Sequence, residues 1–103
     1  MTLHLLTAAD FQAFIGKPLT LIGAVFPITA ALHEITEYPH STASGAARTA
    51  FSLFFLLRQD EFPHVQSGHY AIDGDDLGTI GPVYIERILS VQAGIIRLEA
   101  AFN

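Results

Sequence analysis

The sequence contains no cysteine among its 103 residues. A disulfide framework, a thiolate metal site and a cysteine nucleophile are therefore all excluded. Basic residues are also few, since five Lys and Arg are scattered along a chain with ten Asp and Glu, for a net charge of −5. Because binding to a phosphate backbone needs a concentrated basic face, nucleic acid is not an expected partner.

Charge of either sign is scarce. Charged residues make up 15% of the chain and hydrophobic residues 50%, whereas soluble domains typically carry about a quarter charged residues. A chain of this length is expected to fold as one domain, residues 1–103, with a modest core. We expect apolar surface to remain after that core is filled, and hence a protein partner, most simply a second copy in a homodimer.

Long apolar runs are missing as well. The longest uncharged stretch, residues 18–32, is shorter than the roughly 20 residues of a membrane-spanning helix and contains Pro27. The opening MTLHLLTAAD has neither the positive flank nor the continuous apolar stretch of a signal peptide. We therefore expect a cytoplasmic protein without membrane association.

What the sequence does contain begins with a short helix in LTAADFQAFIGKP. Thr7 is a suitable N-cap, Asp10 follows three residues later near the positive end of the helix dipole, and Gly16 suits a left-handed C-terminal position before Pro18. The apolar residues Phe11, Phe14 and Ile15 are three and four apart, so they form a stripe that must pack against the rest of the protein.

After Pro18 the content of β-branched and aromatic residues rises, which predicts strands. We expect six of them, at residues 19–25, 28–37, 49–58, 69–73, 80–89 and 95–102. The stretch PHSTASGAA between the second and third predicts an exposed loop, RQDEFPHVQSG a second polar connection, and DGDDLG a turn.

The third of these strands, TAFSLFFLLR, is apolar on both faces. Alternation places Phe51, Leu53, Phe55 and Leu57 on one face and Phe54 and Leu56 on the other. The second face must be covered by the helix stripe or by another subunit, so Phe54 and Leu56 are the predicted interface residues.

The last predicted strand has one apolar face, formed by Ile96, Leu98, Ala100 and Phe102. A strand with a buried Phe102 is expected to pair between earlier strands and to close the sheet, which removes exposed edges. The predicted fold is therefore mainly β: a small antiparallel barrel or roll of about six strands with one short N-terminal helix.

Several of these segments resemble a family of small bacterial domains of unknown function. The family is about one hundred residues long, with an LTxxxF…G helix, an FSLxF strand, a GxY…LG hairpin and a final xFN. The matching positions here are Phe11, Gly16, Phe51, Ser52, Leu53, Phe55, Gly68, Tyr70, Leu77, Gly78, Phe102 and Asn103. The resemblance implies a fold but no catalytic residue. It also implies genes that often lie beside those of phage tail-collar-like proteins, and so a structural or assembly role.

HEITE, residues 33–37, begins like the zinc-protease motif HExxH but ends in Glu37. On a strand, His33 and Glu37 would share a face and Glu34 would point away. The sequence therefore predicts an ordinary strand face here rather than a metal site.

DGDDLG, residues 73–78, begins like a calcium-binding loop, with Asp at its first and third positions and Gly at its sixth. Leu77 stands at the fifth position and Tyr84 at the twelfth, where a carboxylate is required. Turn chemistry explains the same residues. We predict no resident metal and no cofactor.

The loop histidines His40, His64 and His69 lie near acidic residues and could act as acid and base at neutral pH. The sequence has neither a GxSxG elbow nor a GxGxxG phosphate loop, so solvated histidines are the favoured interpretation. We assign no catalytic residue.

Two functions are therefore expected as alternatives. The first is a non-enzymatic structural or adaptor subunit that associates through apolar surface, with a phage-tail-like structural protein as the partner that the resemblance implies. The second is a small hydrolase or ligand-binding barrel with a pocket near His64, His69 and Tyr70 at one barrel mouth. Convergence of these three side chains on one pocket favours the second function, and their dispersal the first.

Overall fold

The computed structural model describes residues 6–24, 26–41, 45, 48–74 and 76–103. Helix α1 spans Ala8–Phe11 and continues as a 3-10 turn, Gln12–Phe14. The strands are β1 Pro18–Ile22, β2 Pro27–Glu37, β3 Phe51–Arg58, β4 Gly68–Gly74, β5 Gly78–Ile88 and β6 Ile95–Phe102, with a 3-10 turn at Pro39–Ser41 between β2 and β3. Each strand begins within two residues of its expected position. Of the loop predicted between β2 and β3, residues 42–44, 46 and 47 lie outside the described part.

The six strands form a closed antiparallel barrel in the order β1-β2-β3-β6-β5-β4, in which β4 pairs with β1. Strands β1 to β4 make a Greek key, because three consecutive strands are followed by one that returns beside the first. The expected fold class is confirmed. The last strand, β6, pairs with β3 on one side and β5 on the other, as its alternating pattern predicts.

The barrel interior holds the core. Inward positions alternate along each strand, and Leu21, Leu32, Leu53, Phe55 and Leu98 are among the fully buried side chains. Enclosure of these residues by all six strands explains how a chain of modest length builds a core.

One end of the barrel, where β3 begins and β6 ends, is closed by the N-terminal segment; we call it the helix end. Phe11 is fully buried there, with its ring centroid 6.0 Å from that of Phe51 and 5.7 Å from that of Phe102. Thr7 is the N-cap residue of α1, as predicted, and its amide donates to the Asp10 carboxylate at 2.8 Å.

The helix leaves the barrel end as the sequence predicts. Gly16 has a φ of +85°, and its amide donates to the carbonyl of Leu32 at 2.7 Å, which ties the helix exit to β2. Phe11 therefore fills the end of the barrel and Phe14 packs half-buried against the core, while Ile15 is exposed. The predicted helix stripe does not lie over the outer face of β3, which was one of the two covers expected for that face.

The opposite end, which we call the mouth end, is formed by three connections. They are the β1–β2 turn around Gly23 and Phe26, the β3–β4 crossover at residues 59–67, and the β5–β6 hairpin at residues 89–94. Of these, the crossover sends Val65, which is 3% exposed, into the core. No helix in the described part of the chain is long and apolar enough to cross a membrane.

Candidate functional site

A cavity of about 370 Å³ lies at the mouth end, and we call it the mouth cavity. It opens between the β1–β2 turn and the end of the crossover. Its walls are Gly23, Ala24, Phe26, Ile28 and the continuous stretch of residues 64–70. Because this stretch joins the crossover to the start of β4, the topology of the Greek key itself brings loop side chains over the barrel opening.

Tyr70 forms one wall of the mouth cavity and is 8% exposed. Its ring packs so closely on Gly23 that a Cβ at residue 23 would lie 2.6 Å from the ring carbon Cε1. Its hydroxyl donates to the carbonyl of Gln66 at 2.6 Å. The ring is therefore held from both sides, and the wall is preformed.

The crossover is attached to the barrel by Arg87 on β5. The Arg87 guanidinium donates to the carbonyl of Val65 at 3.1 Å and to that of Pro63 at 3.5 Å. The Arg87 amide donates to the hydroxyl oxygen of Ser67 at 2.8 Å. Backbone and side chain of one residue thus fix the loop that forms half of the mouth cavity.

The three pocket residues expected from the sequence, His64, His69 and Tyr70, all line the mouth cavity. Both histidines are exposed, and the His69 ring meets the Tyr84 ring edge-on with centroids 5.4 Å apart. The third loop histidine, His40, follows β2 at the helix end and does not join them. An imidazole can donate or accept a hydrogen bond, whereas the Tyr70 hydroxyl already donates to the carbonyl of Gln66.

The HEITE segment has a different geometry from the one expected. The pairing of β2 with β3 shifts between Leu32 and Glu34, so His33 is the extra residue of a β-bulge. His33 and Glu34 are consequently both exposed, and the expectation that they point to opposite faces is wrong. Alternation fails here because a bulge changes the parity of every later residue.

The DGDDLG segment forms the β4–β5 turn at the helix end, and Asp75 lies outside the described residues. The Thr79 hydroxyl donates to the Asp73 carboxylate at 2.8 Å, and Leu77 is buried. This is the turn that the sequence predicts. Among the described residues, no three side chains of His, Cys, Asp or Glu are grouped to hold a metal ion.

The expected interface residues Phe54 and Leu56 lie on the outer face of β3. Phe54 is only 8% exposed because the Arg97 guanidinium lies 4.4 Å from its ring centroid. Arg97 is in turn 4.0 Å from the Glu34 carboxylate. Leu56 is half-buried. A cation from the neighbouring strand therefore covers much of this face within one chain.

Sequence reasoning missed most walls of the mouth cavity and the exposed apolar residues of the connections at the mouth end, of which Val91 lines a second cavity with Leu56 and Arg97. Phe26 is exposed and stacks on Phe62 of the crossover, with centroids 6.3 Å apart. Leu89 and Val91 are fully exposed in the β5–β6 hairpin. The available signal was that Phe26 and Val91 are apolar residues between predicted strands, where polar residues are usual. Leu89 gave no such signal, because it lies at the end of the strand predicted at residues 80–89.

Residues 6–102 of the chain match a protein family described as a domain of unknown function, DUF6916. The chain matches no curated protein and no solved structure.

Proposed function

The chain belongs to the DUF6916 family, whose description states no activity, and we propose that it is a non-enzymatic adaptor or structural subunit that binds a protein partner at its mouth end. The observation that carries this proposal is the unequal distribution of exposed apolar residues. Of the six large hydrophobic residues that are exposed in the described part of the chain, four belong to the mouth end: Ile22, Phe26, Leu89 and Val91.

Leu89 contributes most to the argument. It is 93% exposed, and it counts together with its neighbours because exposed apolar residues are informative as a group and not singly. Val91, two residues later on the same hairpin, is also fully exposed. An exposed apolar surface of this kind is typical of sites that another molecule covers, and the helix end is already covered by the chain's own N-terminal segment.

A phage-tail-like structural protein is the partner that we propose, on the basis of the family resemblance given above. The test is co-expression of the chain with the phage tail-collar-like protein of the same bacterium, followed by measurement of the mass of the purified complex by light scattering. We expect a stable complex that is lost in the double variant Leu89→Ser/Val91→Ser.

The matched control is Ile15→Ser, because Ile15 is an exposed apolar residue at the helix end. It should leave the complex intact. A complex that survives the double variant, or that depends equally on Ile15, would refute the assignment of the mouth end.

Self-association is a further part of this proposal. The homodimer expected from composition stays a prediction, and light scattering over a dilution series of the chain alone tests it. Because Phe54 is covered by Arg97, Leu56→Asp is a more direct probe of the outer face of β3 than Phe54→Asp. A monomer mass for the unmodified chain at micromolar concentration would contradict the dimer.

A small-ligand barrel is the second candidate function, and the convergence of His64, His69 and Tyr70 on one cavity favours it. Ligand binding fits this site better than hydrolysis does. The serine hydroxyl on the cavity wall, Ser67 Oγ, accepts a hydrogen bond from the amide of Arg87 and donates to no histidine or carboxylate in the described part of the chain, whereas an activated serine needs a general base as its partner.

A further inference from the structure

We propose that the mouth cavity binds a single uncharged aromatic ring system that carries a hydrogen-bonding atom at its edge, as indole and phenol do. The proposal rests on the assignment of the mouth end as the binding surface and adds the chemistry of what enters it. Three properties of the cavity support it: its size, the polarity of its walls and the fixed position of those walls.

The cavity has room for one ring or two fused rings. Its volume of about 370 Å³ exceeds the roughly 150 Å³ of an apolar cavity that holds benzene, and it lies above the roughly 300 Å³ lower limit of ligand pockets in proteins. Phe26 and Tyr70 present aromatic walls, and Ile28 and Val65 present aliphatic ones. Aromatic rings gain from offset or edge contacts with other rings in addition to burial of apolar area.

The polar groups of the cavity are suited to a neutral ligand edge. The described lining residues include no carboxylate, ammonium or guanidinium group. The nearby charged side chains have partners elsewhere: Arg58 pairs with Asp60 at 2.7 Å, and the Arg87 guanidinium binds loop carbonyls. The imidazole of His64 is the group that can accept from or donate to a ligand N–H or O–H. The side chain of His69 alternates with the inward residues Gly68 and Tyr70 and meets Tyr84 on the outer face of the barrel.

The walls are held before any ligand arrives. Tyr70 is fixed by Gly23 and by the carbonyl of Gln66, and the crossover is fixed by Arg87. A preformed site avoids the entropy cost of ordering side chains during binding. This allows a ligand as small as one ring system to bind measurably.

Gly68 offers a direct way to fill the cavity. It lies on the cavity wall and shares the inward face of β4 with Tyr70 and Ile72. A Cβ at residue 68 would meet no atom within 4 Å. The variant Gly68→Leu should therefore occupy the ligand volume without disturbing the barrel, while Gly68→Ala adds a single carbon and serves as the matched control.

The experiment is titration of the isotope-labelled chain with indole at pH 8, followed by NMR shifts of backbone amides. Indole should bind with a dissociation constant on the order of 1 mM, as expected for so few ligand atoms. The shifts should concentrate on residues 64–70. Gly68→Leu should weaken binding at least about tenfold through steric exclusion, and Gly68→Ala should change it less than about twofold.

A comparison of indole with benzofuran tests the hydrogen-bonding edge, because benzofuran has the same shape without the N–H donor. We expect indole to bind several-fold more tightly. The variant His64→Ala should abolish that preference, whereas His69→Ala on the outer face of β4 and His40→Ala at the helix end should preserve it. This readout keeps the proposal testable even where Gly68→Leu fails to fold.

The ring could belong to a free small molecule or to a side chain of the protein partner. Two peptides, Gly-Gly-Trp-Gly-Gly and Gly-Gly-Ala-Gly-Gly, distinguish these sources. Binding of the tryptophan peptide at least as tightly as indole identifies a partner side chain, and binding of indole alone identifies a free ligand. Absence of saturable shifts with both indole and the tryptophan peptide would overturn the proposal.

Failure of this inference can be told from failure of the proposed function. Loss of the tail-like complex in Leu89→Ser/Val91→Ser reports on the mouth end as a partner surface, whether or not indole binds. Indole binding that is unchanged in Gly68→Leu would refute the cavity as the site and leave the partner surface intact.

Discussion

The substitution Phe102→Ala tests whether the aromatic residues at the helix end stabilise the closed barrel. Phe102 is 5% exposed, and its ring stacks on that of Phe51 with centroids 4.7 Å apart and an interplanar angle of 3°. The Phe11 ring lies 5.7 Å from it on the helix side. The Arg48 guanidinium lies 5.6 Å from its centroid. Phe102→Ala therefore removes a group that strand, helix and loop all contact.

The expected cost is large for a domain of this size. Truncation of a buried phenylalanine costs about 3–5 kcal/mol, because apolar burial is lost and a cavity remains. Small domains have a total stability of about 5–15 kcal/mol. At roughly 4–8 °C per kcal/mol, a loss of 3 kcal/mol lowers the Tm by at least about 12 °C.

Urea and thermal unfolding, followed by far-UV circular dichroism, measure this loss. Val91→Ala is the control, because a substitution at a fully exposed position should change the free energy of unfolding by less than about 0.5 kcal/mol. If Phe102→Ala costs less than about 1 kcal/mol, the aromatic cluster does not support the helix end and the reasoning fails.

Three further predictions concern other parts of the molecule. Arg48→Lys should destabilise the fold by about 1–3 kcal/mol, because the guanidinium donates both to the Leu6 carbonyl at 2.6 Å and to the Asn103 carbonyl at 3.0 Å. Gly81→Ala should cost about 1–3 kcal/mol, since Gly81 has a φ of +125° and a Cβ there would lie 3.0 Å from the Tyr70 carbonyl oxygen. Protein purified without added metal should contain no stoichiometric zinc or calcium by elemental analysis.

Each of these predictions has its own control. Arg58→Lys alters an exposed arginine and should leave the urea midpoint almost unchanged. An equally small effect of Arg48→Lys would refute the stabilising role of the two Arg48 hydrogen bonds. Gly68→Ala introduces a Cβ into open space, so equal losses for Gly68→Ala and Gly81→Ala would refute the steric argument. One equivalent of zinc or calcium would overturn the last prediction.

The strands and the helix could be predicted because their signals are local. The capping pair Thr7 and Asp10, the left-handed Gly16 and the alternation of residues 95–102 each describe what a few neighbouring residues can do. Closure of the barrel could also be predicted from the sequence. A final strand with one apolar face and residues of high β-propensity is most stable when it pairs on both edges, and in a small closed barrel every strand does so.

The face of the sheet to which each side chain of residues 33–37 points could not be predicted, because a bulge depends on the partner strand. The extra residue His33 is accommodated opposite β3, and its local sequence resembles any other strand. The packing of the Arg97 guanidinium over the Phe54 ring could not be predicted for a similar reason. Arg97 lies on a strand more than forty residues away, and only the register of β3 with β6 brings the two side chains together.

The sequence by itself therefore determined the elements, their order and a barrel with a buried final strand. It also indicated His64, His69 and Tyr70 as neighbours at a mouth, because they are close along the chain. Only the tertiary structure decided that Gly23 and Phe26 complete the same cavity and that Leu89 and Val91 stand exposed at the same end. The physical reason is that closing the barrel sets which distant loops share an end, whereas propensity and alternation act over a few residues.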